Sequence, residues 1–140
     1  MRLSRFIFLA VSGETSTYRW LLASPNNREL GRGANGWPSY QACRDDVTRV
    51  QGGIGQVESS MATDAIIGQW TWRVSLADIV VARSARYYQR ERECRYSLNA
   101  FLTAVPTATL VDGVRQIDPA RRGGKPRAVP TDELSTGAAS

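Results

Sequence analysis

Five arginines, Arg83, Arg86, Arg90, Arg92 and Arg95, fall within thirteen residues, and Tyr87 and Tyr88 lie among them. Guanidinium forks suit phosphate oxygens and phenol rings suit bases, so this run carries the residue types of a nucleic-acid contact. Glu91 and Glu93 bring its net charge to +3. The plainer reading of the same residues is a solvated helix start with local Glu–Arg pairs.

A second stretch, Gly31-Arg32-Gly33-Ala34-Asn35-Gly36, matches the G-x-G-x-x-G spacing of a dinucleotide-binding loop. Phosphate cradling needs a helix N-terminus at the glycines. Here Trp37-Pro38-Ser39 intervenes, and Ser39 is the better helix start. Turn glycines are the preferred reading. Trp20, Trp70 and Trp72 would stack bases if they faced solvent. Their alternation with polar residues points instead to core packing.

Other chemistry is removed by composition. The chain has no histidine and two cysteines, so imidazole-based dyads and Cys/His zinc sites are excluded. Cys43 and Cys94 both sit at apolar helical positions and read as buried free thiols in a reducing cytosol. Asp45-Asp46 and Asp132-Glu133 read as surface carboxylates. No metal or cofactor is expected.

The elements that hold these residues follow from periodicity. Arg5–Val11 is aromatic and β-branched and reads as a strand closed by Ser12-Gly13. With two arginines ahead of it this start imitates a signal peptide, but its apolar run of six residues is too short. The alternation of Tyr18, Trp20 and Leu22 predicts a strand with one core face, and Pro25-Asn26-Asn27 a turn into a short third strand. Ser39 caps a helix whose apolar stripe is Tyr40, Cys43, Val47 and Val50, ended by Gly52-Gly53.

The same order returns about fifty residues later. Trp70 and Trp72 lie 52 positions after Tyr18 and Trp20, while Cys94, Leu98 and Phe101 lie 51 after Cys43, Val47 and Val50. The first strand of the second copy, within residues 57–63, is poor in apolar residues and suits a sheet edge. Its second strand carries Trp70, Trp72 and Val74, and residues 79–83 form the third. A helix from about Arg90 to Thr103 carries Cys94, Leu98 and Phe101 and stops before Pro106. A period of this length predicts two tandem units.

The expected fold is therefore α+β. Two tandem βββα repeats, residues 4–53 and 56–105 of a domain spanning 1–108, form one antiparallel sheet with both helices on one face. Tyr18, Trp20, Leu22, Trp70, Trp72 and Val74 are expected to meet Cys43, Val47, Val50, Cys94, Leu98 and Phe101 in one core. Residues 116–140 are polar, rich in Pro, Gly and Arg, and expected to be disordered. The net charge of +5 is spread along the chain as +2, +2 and +1, so no block demands a polyanion.

The pattern Tyr18-Arg19-Trp20-x-Leu22-Ala23, a turn with Asn, Trp37-x-Ser39, Cys43 and Val47…Val50 resembles the YegP-like family. This is a small bacterial family of unknown function, often with its unit in tandem. The resemblance spans roughly residues 5–105. It implies three antiparallel strands and a helix per unit, with the units related by a pseudo-twofold axis. It supplies no catalytic residues.

These readings combine into a cytoplasmic, non-catalytic interaction module with no membrane segment, its partner another protein or a second copy of itself. The alternative is weak, sequence-independent nucleic-acid binding through the Arg83–Arg95 cluster.

Overall fold

The computed structural model describes residues 2–13 and 16–117. In chain order its elements are β1 (Arg5–Val11), β2 (Thr17–Ala23), β3 (Glu29–Gly33), α1 (Tyr40–Gly52), β4 (Glu58–Thr63), β5 (Trp70–Leu76), β6 (Ile79–Arg83), α2 (Glu91–Ala104) and β7 (Thr109–Ile117). They form one α+β unit: a seven-stranded sheet in the order β4-β5-β6-β3-β2-β1-β7 with two helices.

Two local signals place α1. Ser39 Oγ accepts from the Ala42 N–H at 3.0 Å, and the Gly53 N–H donates to the Arg49 carbonyl at 3.0 Å. α2 begins without a side-chain cap at Arg90, but Glu91 and Glu93 in its first turn face the positive end of the helix dipole. β4 stands at one edge of the sheet, where its Glu58-Ser59-Ser60 start leaves no apolar face unsatisfied.

The antiparallel sheet expected from the sequence needs correction. β7 pairs parallel with β1, which makes the sheet mixed and extends the folded chain past residue 108 to Ile117. Gln116 and Ile117, expected to begin a disordered tail, lie in this strand; residues 118–140 are outside the described residues. No period-two pattern advertised β7, because it is a largely exposed edge strand whose register slips between Phe6 and Phe8 of β1. Gly113, at φ +88°, lies within that slip, a conformation suited to a residue without Cβ. α1 holds the bulge in place: the Gly113 N–H donates to Tyr40 Oη at 2.9 Å, and Arg44 reaches the Val111 carbonyl at 3.3 Å.

Alternation decides which sheet face becomes core. Phe6 pairs with Leu22 and Phe8 with Trp20, and all four are buried. Trp72, Val74, Val81 and Ala82 continue the surface, and Cys43, Val47 and Val50 of α1 with Cys94, Leu98 and Phe101 of α2 close over it. Tyr18 and Trp70 are half-buried and pack against this cluster. Phe101 lies 5.0 Å from the Trp72 ring and 6.4 Å from Trp20, so one phenyl of α2 joins the two indoles. Gln51 of α1 donates to the Val105 and Ala108 carbonyls at 2.9 Å each, fastening the turn that follows α2.

The G-x-G-x-x-G spacing finds its reason in this core. Gly31 and Gly33 are strand residues of β3 rather than turn glycines. A Cβ on Gly31 would stand 2.6 Å from Phe101, and one on Gly33 2.7 Å from Trp20. Aromatic rings lie directly on the strand backbone there. Among the described residues no helix is long and apolar enough to cross a membrane.

Candidate functional site

A groove of about 1140 Å³ runs between residues 28–32 on one side and α2 on the other, floored by the loop from β6 to α2. Arg92, Tyr96 and Ala100 enter it at helical spacing of four, beside Glu93 and Ser97. Such positions share one helix face, so α2 turns its Cys94–Leu98–Phe101 stripe to the core and this stripe to the groove. Arg28, Glu29, Leu30 and Arg32 form the facing wall, where Arg32 and Glu29 pair at 2.7 Å.

The loop is held at its backbone. Tyr88 and Trp70 exchange hydrogen bonds of 2.8 and 2.6 Å, an isolated bridge that fixes Tyr88 beside the start of α2. Ser97 Oγ then serves both aromatic neighbours, accepting from Tyr88 Oη at 2.8 Å and from Trp72 Nε1 at 3.0 Å. Arg86 lies over the Tyr88 ring at 5.5 Å. Tyr96 is 77% exposed, an aromatic rim with no partner in the core.

The basic-aromatic run of the sequence is thus divided. Arg86, Tyr87, Tyr88 and Arg92 share the groove. Arg83 belongs to the sheet, on the face opposite the buried Ala82. Arg90 stands at the start of α2, and Arg95 pairs with Glu91 on its exposed side. Sequence reasoning missed Tyr96, although its place four residues after Arg92 on the polar side of α2 was readable. It also missed residues 28–32, which meet α2 only through tertiary packing and carry no local signal.

Neither thiol is placed for chemistry. Cys43 and Cys94 are free and buried. Burial pushes Cys43 up to about 12, with Asp46 adding to the rise and Arg19 opposing it. Burial raises Cys94 to about 11, against Arg95 and with Glu91. Of the acidic pairs, Asp46 is not the surface carboxylate its neighbour is: it is 4% exposed and accepts from Trp20 Nε1.

This architecture is that of the YegP-like proteins. The protein of unknown function yegP from E. coli, known from a solution structure, superposes with a TM-score of 0.57 at 14% identity, covering 81% of this chain and 94% of that one. The UPF0339 protein SO3888 from Shewanella oneidensis superposes with a TM-score of 0.58 at 8% identity, covering 86% of this chain and 98% of that one. No family model matches the sequence, and no curated protein does. The likeness is one of fold.

Proposed function

We propose that the protein is a non-catalytic interaction module that receives an acidic polypeptide segment in the groove between residues 28–32 and α2. The observation that carries this is Tyr96, which is exposed and lines the groove together with Arg92, Arg86 and Arg28. Tyrosine and arginine are the side chains in which interface energy concentrates. Four arginines against Glu29 and Glu93 favour a negatively charged partner. The missing imidazole and the buried thiols support a module without catalysis, and free buried thiols suit a cytoplasmic setting.

In the same reading, residues 4–53 and 56–105 are two copies of one βββα unit, related by a pseudo-twofold axis between Arg32 and Arg83. Support comes from paired detail. Arg32 and Arg83 are each other's cross-strand partners. Tyr18 bridges Trp37 as Trp70 bridges Tyr88. Trp20 and Trp72 each donate to a helical acceptor, Asp46 and Ser97, which lie 51 positions apart.

A display library of random peptides tests the groove. Enrichment of acidic peptides, with binding lost in Tyr96→Ala and Arg92→Glu, is the expected result. Binding that survives both changes would remove the groove from the proposal. Solution mass measured alongside decides whether self-association, for example through the exposed β4 edge, is the partner relation instead. Nucleic-acid binding is the second reading, favoured by Arg86, Arg92, Tyr87 and Tyr88 sharing one groove. It requires single-stranded or duplex nucleic acid to bind with steep salt dependence and to weaken in Arg90→Glu/Arg92→Glu.

A further inference from the structure

The hairpin from β4 to β5 ends in an apolar tip. Its last ladder pair is Thr63 with Trp70, so residues 64–69 stand beyond the sheet. Ile66 at this tip is 92% exposed and its neighbour Ile67 50%. Single apolar side chains on a surface are ordinary, but here two in succession stand on a projecting turn. The turn itself is fixed by other residues. Asp64 Oδ1 accepts from the Ile66 and Ile67 N–H groups at 2.8 and 3.1 Å, and the Gly68 N–H returns to the Asp64 carbonyl at 2.8 Å. Gly68, at φ +71°, takes the left-handed position. Backbone geometry thus asks for Asp64 and Gly68, and for no apolar side chain between them.

Behind the tip the side chains change character. Trp70 at the base of the hairpin bridges Tyr88, and both rings are half-buried. The bridge is antiparallel, so the chain leaving Tyr88 heads toward the tip, and exposed Arg90 follows two residues on at the start of α2. The carboxylates of this end are engaged: Asp64 by the turn's own N–H groups and Glu91 by Arg95. Apolar tip, amphipathic rings and then a cation is the order in which side chains meet a bilayer interface.

We infer that this end of the molecule docks on an anionic lipid surface, with Ile66 and Ile67 entering the acyl boundary and Arg90 meeting headgroup phosphates. Area decides between a lipid and a protein as the partner of the tip. A stable protein interface buries about 800 Å² on each partner, far more than two side chains supply. A lipid surface needs only a shallow apolar insertion reinforced by charge, and the binding is reversible. The site lies on the hairpin rather than in the α2 groove and goes beyond the interaction proposed there.

Flotation of the full chain with vesicles of equimolar phosphatidylcholine and phosphatidylglycerol, against phosphatidylcholine alone, tests it. Binding to the mixed vesicles that weakens with salt is the expected result, with little binding to the neutral ones. Ile66→Ser/Ile67→Ser should lower the partition coefficient by about tenfold or more, since two apolar side chains no longer leave water. Both positions are exposed, so the unfolding midpoint of this variant should stay where it was. Ile66→Trp should strengthen binding, because indole favours the interface. Arg90→Gln should weaken it several-fold, whereas Tyr96→Ala in the groove should leave it unchanged. Failure to float with the mixed vesicles at low salt would overturn the inference and leave the tip to a protein partner. Equal binding by Ile66→Ser/Ile67→Ser would overturn it too, since charge alone would then hold the chain to the vesicle.

Discussion

Trp20 Nε1 donates to Asp46 Oδ2 at 2.8 Å inside the core, and Arg49 holds the other carboxylate oxygen from the next turn of α1. A strand and a helix are thus joined by a buried polar contact within the core. Removing the indole N–H leaves a desolvated carboxylate, and an unsatisfied buried polar group costs about 1–3 kcal/mol or more when charged. Trp20→Phe should therefore lower stability by at least that amount in urea unfolding. Trp72→Phe should cost less, about 1 kcal/mol, because Ser97 keeps Tyr88 as a partner.

Truncating Trp72 to alanine is a different change. Its ring is 1% exposed and touches Phe101, so Trp72→Ala should cost about 3–5 kcal/mol. A loss below about 1 kcal/mol in the same unfolding measurement would contradict the shared core.

Trp37 offers the reverse case. Its Nε1 is buried without a hydrogen-bond partner among the described residues, while its backbone bridges Tyr18. Phenylalanine keeps the bridge and most of the ring and removes the orphan donor. Trp37→Phe should be neutral or slightly stabilising by denaturant midpoint, in contrast to Trp20→Phe.

Gly31→Ala inserts a methyl 2.6 Å from Phe101 and 2.7 Å from Trp72. Overpacking of this kind costs about 1–3 kcal/mol. Pairing it with Phe101→Leu should recover part of the loss, which a double-mutant cycle would read as a coupling of opposite sign to the single costs.

The thiols set a pH dependence. Both are raised above the ordinary value of 9.0, to about 12 and about 11. Above that ordinary value the unfolded chain has released protons that the folded chain still holds, so stability falls with rising pH. This contribution is fully present below pH 9 and is lost as pH rises through the folded values. Cys94→Ala should flatten the decline between about pH 9 and 11 seen in unfolding midpoints. At pH 8 a thiol reagent should label neither cysteine in the native protein and both in denaturant.

Period-two alternation around Trp20 and Trp72, with the helical stripes of Cys43 and Cys94, made β2, β5 and the two helices legible because each is driven by a local pattern. β4 was readable as an edge from what it lacked. β7 was not readable, since an exposed strand with a slipped register carries no period. The run from Arg83 to Arg95 is contiguous in sequence but not in space. Neighbours in sequence were separated by the turn from strand to helix, while Arg83 met Arg32 and Arg73 from distant strands. Cross-strand register is set by the whole sheet, and no single stretch announces it.

β7 also gives the chain an order of completion. β1, with Phe6, Ile7, Phe8, Leu9 and Val11, is synthesised well before residues 109–117, the strand that covers its outer edge. Synthesis proceeds N-terminal first at about 5–20 residues per second. For that interval the most apolar strand of the sheet presents an unpaired edge, the feature through which nascent chains join one another. Five further strands and both helices must be made before that edge is closed.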